Sequence, residues 1–486
     1  MKFLILSENS NGAWPYLHYR GMGAFELKKR VLNRGYECDI IDWFTHWSHD
    51  DLKLVIDNFF KDTEYPVIAV STPFDHRDLG CIEDVIVWAR DKFPNLKIIH
   101  GGARTFKTEY QNLADIFFLG RSMQMFDDWL DQKDLTQYKI NDKPLILVNH
   151  NFDQNIDNPV LPTIDDSDCL TRRDILGFEV GVGCKFNCTF CNYELRNVKI
   201  TKLLDPLQLK EYFLEGYSKY GVIEYFTSDD TINESDEKLE IIAEAMSGLN
   251  FHPRITSFAR LDLINSRKRQ QQLLKQIQFR ALFFGIESFN PEAAKTIRKK
   301  TGLGNTYETL AFIRDNCPDT FTIGSLIVGL NNDSYESIKS SLDRVVAEKL
   351  LTSVQIYALN IVNANGVVDP YYLSDLEKDP EKFGYKITDF SFFHRGNFTL
   401  NDLHWESDWT NYASAVEMAQ SLTTEYEKKL LVMNHFEWTG FYAMGLIKNK
   451  NPVVTEVLKS RAYSVSSQLK QQYIANKLRY LGLKAS

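Results

Sequence analysis

The chain switches repeatedly between short apolar runs and amphipathic stretches, and this alternation limits its fold more than any other feature. Near its start, apolar runs occur at Phe3–Leu6, Cys38–Ile41, Val67–Ser71, Lys97–His100 and Asp115–Leu119. Helical patterns around Gly23–Asn33, Asp51–Phe60 and Ile82–Lys92 lie between them. Short apolar runs separated by helices predict an α/β fold. Over residues 1–135 that is a doubly wound, Rossmann-like parallel sheet. Ligands of such a sheet bind beyond the carboxyl ends of its strands.

Residues 136–172 are polar and carry Asn155, Asn158, Pro159, Pro162, Asp165 and Asp166, the composition of a linker. A second series fills residues 173–360. Its expected strands are Phe178–Gly183, Val222–Thr227, Arg254–Ala259, Ala281–Glu287, Thr322–Gly329 and Ser353–Leu359, with helical patterns between. Six such units predict a partial (β/α)6 barrel of the TIM type, with chemistry on the loops after the strands. In residues 361–486 the pattern loosens into a polar, aromatic stretch at Tyr371–Phe393, a long helix at Trp409–Val432 and a basic tail. That region reads as an α-rich extension. A length of 486 residues accommodates this number of domains.

With 44% hydrophobic and 25% charged residues, the composition is that of a globular protein. A net charge of −9 gives no overall attraction for nucleic acid. The exception is the tail, where Lys448, Lys450, Lys459, Arg461, Lys470, Lys477, Arg479 and Lys484 face only Glu456. The plain reading is a solvated helix face, and the alternative is a contact with RNA, a partner or a phosphate. No apolar run approaches the roughly 18–20 residues that span a bilayer. Met1–Ser7 reads as a first strand and not a signal peptide, so a cytoplasmic location is the expectation.

Three of the seven cysteines crowd into Gly183-Cys184-Lys185-Phe186-Asn187-Cys188-Thr189-Phe190-Cys191, directly after an expected strand. The spacing is C-x3-C-x2-C. Three thiolates on one tight loop suit three corners of an iron–sulfur cube and leave one iron open. Gly181 and Gly183 give the backbone freedom to wrap it. A structural zinc site would call for a fourth Cys or His, of which Cys169 is the one nearby spare. Cys38, Cys81, Cys169 and Cys317 read as small buried hydrophobes.

This cysteine loop resembles the signature of the radical S-adenosylmethionine (SAM) superfamily. The resemblance implies that Cys184, Cys188 and Cys191 hold a [4Fe–4S] cluster and that SAM chelates the open iron. It further implies that SAM is cleaved reductively to a 5′-deoxyadenosyl radical. Phe190 matches the aromatic residue beside the last cysteine, near the adenine. Thr227-Ser228-Asp229-Asp230-Thr231 is similar to the acidic loop that takes the methionine amino group, although it departs from the common Gly-Gly-Glu form. Arg260, at the end of the third strand, is expected to face a carboxylate through its fork. Gly285-Ile286-Glu287-Ser288 looks like the family's element near the SAM ribose or carboxylate, and Arg298-Lys299-Lys300-Thr301-Gly302 follows it. Ile327-Val328-Gly329-Leu330 is similar to the adenine-side strand end, with Asn331 in place of proline.

The first domain resembles the cobalamin-binding type that precedes such cores. The parallels are Gly35–Asp42, Val70-Ser71-Thr72, His100-Gly101-Gly102 and Asp115–Arg121. Ser71, Gly101 and Gly102 are thereby candidate cofactor contacts, and cobalamin is a candidate further cofactor. The lower-ligand motif is broken: in Tyr16-Leu17-His18-Tyr19-Arg20-Gly21, Tyr replaces the Asp that would orient His18.

With cobalamin, the implied chemistry is methyl transfer or rearrangement; without it, hydrogen abstraction. The implied partners are a small-molecule or biosynthetic substrate and a reductant of the flavodoxin or ferredoxin type. Tyr371, Tyr372, His394, Arg395, His404, Trp405 and Trp409 form an aromatic and basic set that reads either as substrate contacts or as packing. An iron–sulfur electron carrier with a degenerate core is the alternative from a different class.

Overall fold

The computed structural model describes the chain except residues 10–18, 73–78, 102–112, 121–122, 143–144, 149–158, 160, 192, 194, 199, 201, 300–302, 362–372, 395–400, 428, 431–434, 448–455 and 485–486. The chain divides into two compact units. The first contains Met1–Phe178, Gly216–Val222 and Val457–Ser486, and the second contains Glu179–Glu215 and Ile223–Glu456.

In the first unit, strands β1 (Lys2–Ser7), β2 (Glu37–Asp42), β3 (Pro66–Ser71), β4 (Lys97–Gly101) and β5 (Ile116–Leu119) pair in parallel in the order β2-β1-β3-β4-β5. Phe3 to Leu6 and Val67 to Val70 are buried, as strands covered by helices on both faces require. Helix α1 (Met22–Leu32) buries Ala24, Phe25, Lys28 and Val31, a spacing of three to four residues that sets one face inward. Lys28 occupies an inward position because Asp165 and Asp168 each meet its ammonium at 2.8 Å. Helix α2 (His49–Phe60) starts where Ser48 accepts the Asp51 N–H, with Asp50 and Asp51 in its first turn. Helices α3 (Glu83–Lys92) and α4 (Met123–Leu130) complete the alternation.

Two expectations change here. The stretch 136–172 is more than a linker, since β6 (Lys139–Asp142) and β7 (Leu145–Val148) extend the sheet to seven strands. β7 pairs in parallel with β5, and β6 returns antiparallel. The apolar Leu145-Ile146-Leu147-Val148 run is long enough for a buried strand, which is the physical reason. The strand expected at Phe178–Gly183 also lies earlier: β8 covers Ile175–Phe178, leaving Glu179–Gly183 to lead into the cysteine loop.

Helix α5 spans Pro206–Tyr220. In the second unit, β9 (Glu224–Thr227), β10 (Arg254–Ala259), β11 (Ala281–Glu287), β12 (Phe321–Val328) and β13 (Ser353–Ala358) lie side by side in chain order. All pair in parallel. Helices α6 (Asp236–Met246), α7 (Leu261–Ser266), α8 (Lys268–Ile277), α9 (Pro291–Thr296), α10 (Leu303–Asn316) and α11 (Tyr335–Ala347) connect them. The sheet is open: β13 is an edge strand, so the expected barrel is an arc. A buried ion pair, Arg280–Glu224 at 3.0 Å, lies in its interior.

The region after 360 is not only helical. A short helix α12 (Asp375–Lys378) precedes β14 (Lys386–His394) and β15 (Asn401–Glu406), which form an antiparallel ribbon. Strand formers dominate Phe390-Ser391-Phe392-Phe393, within the stretch whose pattern is loose in the sequence. The expected long helix is α13 (Tyr412–Tyr426), started by Asn411, whose side chain accepts the Ser414 N–H. α14 (His435–Ala443) follows, and its Trp438 stacks on Phe321 with ring centroids 3.7 Å apart.

The expected 361–486 domain is also divided. Helix α15 (Glu456–Tyr480) falls, from Val457 on, with the first unit. Tyr473 Oη takes the Asp42 N–H at 3.0 Å, and the buried Lys477 ammonium pairs with Asp39 and reaches Ser167 O at 2.7 Å.

Candidate active site

The cysteine loop is held by its own backbone. The Cys184 N–H donates to Leu195 O at 3.0 Å, Val198 N–H to Cys184 O at 3.0 Å, and Asn197 N–H to Phe186 O at 2.9 Å. Gly183 has φ +106°, which turns the chain into the loop. Donors already face two of the sulfurs. Arg260 Nη1 is 3.4 Å from Cys188 Sγ, and the Tyr193 N–H is 3.5 Å from Cys191 Sγ. Cys184 Sγ lies 3.8 Å from Thr231 Oγ1. Three thiols on one loop with hydrogen bonds aimed at sulfur fit an iron–sulfur cluster, whose ligands and potential depend on such donors. Among the described residues no three His, Cys, Asp or Glu close around a single metal ion. A cubane takes each thiolate on a different iron. Burial pushes the Cys184 thiol up to about 11 and raises Cys191 too. A metal would take these sulfurs as thiolates, against that bias.

Asp229 is not an open ligand. Its carboxylate accepts the Val180 and Gly181 N–H groups at 2.8 and 3.0 Å and pairs with Lys238 at 2.6 Å, almost fully buried. It braces the strand-to-loop turn just before the cysteines. Its neighbour Asp230 is exposed, and its charge raises both Cys184 and Cys191, so it stands beside the loop.

The carboxylate that Arg260 faces is Asp262. Nε and Nη2 donate to Oδ1 and Oδ2, both at 3.0 Å. The expected fork is present, but its partner lies in the same chain. Burial works against the Arg260 charge; Asp262 and Cys188 outweigh it and raise the pKa.

Glu287 closes β11 with φ +64°, at a register shift against β12. Its buried carboxylate pairs with Lys299 at 2.9 Å and accepts from Ser325 Oγ at 3.2 Å. Lys299 also lies 5.7 Å from the Phe190 ring centroid, which places Phe190 and Glu287 around one ammonium. Ser288 Oγ donates to Asp333 and accepts the Asn290 N–H at 2.9 Å, so it shapes the loop. The basic run at 298–300 is visible in the sequence, but the pairing of Lys299 with Glu287 is not.

The strand end at Gly329 is covered. Tyr385 Oη donates to Gly329 O and receives the Asn331 N–H, each at 3.1 Å, and Trp409 Nε1 donates to Leu330 O at 2.9 Å. Trp405 is fully buried with its Nε1–H on Leu359 O. These residues pack against the strand end; they are not the free aromatic surface considered for substrate. Tyr371, Tyr372 and Arg395 lie outside the described residues.

In the first unit, Ser71 ends β3 and its carbonyl takes the Glu8 N–H at 3.0 Å. Gly101 ends β4, where a Cβ would stand 3.3 Å from Phe118 O, a close approach to the next strand. His18 and Gly102 lie outside the described residues. The sequence reading missed Asn9, just after β1. It is buried, its Nδ2 donates to Ser7 Oγ at 3.1 Å, and its Oδ1 has no hydrogen-bond partner among the described residues. The order β2-β1-β3 puts this acceptor at the point where the sheet reverses direction.

Residues 178–345 match the Radical SAM superfamily model. No curated protein sequence matches the chain. Among solved structures, the radical SAM methyltransferase TsrM from Kitasatospora setae, with tryptophan and aza-SAM bound, aligns at TM-score 0.63 and 13% identity over 98% of this chain and 100% of that one. The same enzyme with cobalamin and a [4Fe–4S] cluster aligns at 0.62 and 12%, over 99% and 100%. The cobalamin-dependent SAM radical enzyme OxsB, with aqua-cobalamin, aligns at 0.61 and 12%, over 99% of this chain and 75% of that one. At such identities the shared property is the fold. The chain therefore carries a radical SAM domain at residues 178–345, on an overall architecture that TsrM and OxsB share.

Proposed function

We propose that this chain is a cobalamin-dependent radical SAM enzyme that transfers a methyl group to, or rearranges, a small-molecule or biosynthetic substrate. The carrying observation is the Cys184-Cys188-Cys191 loop inside the matched domain, with donors from Arg260 and Tyr193 already on its sulfurs. When bound and reduced, the cluster supplies the electron that splits SAM. The protein's own residues do the rest. Asp229 fixes the entry to the loop, Lys299 sets the Glu287 carboxylate, and the exposed Asp230 places negative charge beside the sulfurs. Asp230, Glu287 and Phe190 are proposed as SAM contacts.

The cobalamin assignment draws on the first unit. Its doubly wound order and the buried acceptor Asn9 Oδ1 at the β1/β3 reversal suit a ligand rich in amide donors. Ser71 and Gly101, at neighbouring strand ends, are proposed around it. A flavodoxin or ferredoxin is the proposed electron donor and the cytoplasm the proposed location. No helix among the described residues is long and apolar enough to cross a membrane. An RNA contact through the basic tail is not supported at Lys470 and Lys477, both buried, with His46 and Asp39 as partners.

The test is anaerobic purification with cobalamin supplied, followed by iron and sulfide reconstitution. The visible spectrum reports cluster and corrin together. Addition of dithionite and SAM is then expected to yield 5′-deoxyadenosine, S-adenosylhomocysteine or both, lost in the triple Cys→Ala variant. A loaded cluster with no SAM turnover would favour an electron carrier instead.

A further inference from the structure

We infer that Arg260 is a positioning residue for Cys188 that raises the reduction potential of the cluster, with Asp262 as its electrostatic counterweight. This rests on the cluster assignment above and deepens it.

The geometry is specific. Three groups surround one guanidinium. Nη1 donates to Cys188 Sγ at 3.4 Å, Nε and Nη2 fork onto Asp262 at 3.0 Å each, and the central carbon sits 4.0 Å from the Phe186 ring centroid. Phe186 belongs to the cysteine loop itself. The Arg260 backbone is pinned on both sides by Asn233, which accepts its N–H at 2.8 Å and donates to its carbonyl at 2.8 Å. Asn233 is fully buried and lies 3.2 Å from Gln270 Oε1. Arg260 is 7% exposed. A side chain this constrained keeps its charge at one place relative to the sulfur.

The consequence follows from charge. A guanidinium does not deprotonate in proteins. A cluster held there would take one electron from a flavodoxin- or ferredoxin-type donor, which would be oxidised by one electron, and no proton would leave Arg260. The added negative charge is stabilised by a nearby fixed cation and by the N–H···S bond, more so where water is excluded. Reduction is therefore easier with Arg260 present. Asp262 opposes this, so the pair trims the potential.

The experiment is an EPR-monitored redox titration of the anaerobically reconstituted full chain, with iron content measured for each variant. Arg260→Gln is expected to lower the midpoint by at least a tenfold change in the one-electron equilibrium, about 59 mV. Asp262→Asn is expected to move it upward, and Arg260→Lys to shift it less than Arg260→Gln. If Arg260→Gln takes up no iron, Asp262→Asn decides, and a midpoint that does not rise overturns the assignment. A cluster at full iron content with an unmoved midpoint in Arg260→Gln overturns it as well. A wild-type chain that binds no cluster overturns the underlying assignment instead, and this one with it.

Discussion

The Lys299 ammonium meets Glu287 Oε1 at 2.9 Å directly above residue 285, where a Cβ would stand 2.5 Å from that oxygen and 2.6 Å from the nitrogen. The glycine in Gly285-Ile286-Glu287-Ser288 is thereby explained by the ion pair that covers it. Both obstructing atoms are side-chain ends, so Gly285→Ala is expected to displace the pair rather than the strand. The stability cost should be about 1–3 kcal/mol, with a larger proportional loss in SAM affinity. Lys299→Met leaves the buried Glu287 carboxylate without its counter-ion and should cost about 3–5 kcal/mol. Denaturant midpoints and SAM titration by calorimetry check both.

At Gly329 the obstruction is rigid. Its φ is +104°, and a Cβ would stand 2.5 Å from the buried Trp405 ring. Gly329→Ala is expected to destabilise the second unit by about 2–4 kcal/mol through combined strain and overpacking. The Trp405→Phe background should recover part of that loss in urea unfolding, which additive behaviour would not allow.

His100 supplies a pH dependence. Burial lowers it to about 4, with Thr72 Oγ1 2.9 Å from its Nε2. The folded state holds the ring neutral, while the unfolded chain takes a proton near pH 6.5. Its contribution is present above pH 6.5 and is lost as pH falls from there towards 4, up to about 3 kcal/mol. Unfolding midpoints at pH 7.5 and 5 should show this slope in the wild type and less of it in His100→Asn. An equal slope in both refutes the assignment.

Lys477 separates a structural tail from a nucleic-acid arm. Lys477→Met strands Asp39 and is expected to cost about 3–5 kcal/mol. Salt-dependent RNA retention, if any occurs, should be unchanged by it. A variant of wild-type stability would contradict the buried pairing.

The strands were legible because apolar runs of four to eight residues in an αβ alternation leave few alternatives. Arg254–Ala259 and Ala281–Glu287 are observed as read. The cysteine loop was legible because sulfur spacing is itself the chemistry. Partner choice was not legible. Asp229 and Asp230 are adjacent acids, yet one is buried on Val180, Gly181 and Lys238 while the other is exposed. That difference depends on which way each side chain leaves the turn. Arg260 reads as a fork onto an unnamed carboxylate, and the one it meets, Asp262, is two residues away. The return of α15 to the first unit was hidden because pairings such as Lys477 with Asp39 link positions far apart in sequence.

That return affects synthesis. Asp39 and Asp42 leave the ribosome early, while Lys477 and Tyr473, which meet them in the finished protein, emerge only after the entire second unit. At roughly 5–20 residues per second the interval is on the order of 20–90 s. Throughout it, nascent chains carry a doubly wound sheet still waiting for α15. Release of incomplete polypeptides, or a stop codon shortly before residue 470, is therefore a route to chaperone capture and proteolysis rather than to a half-active enzyme.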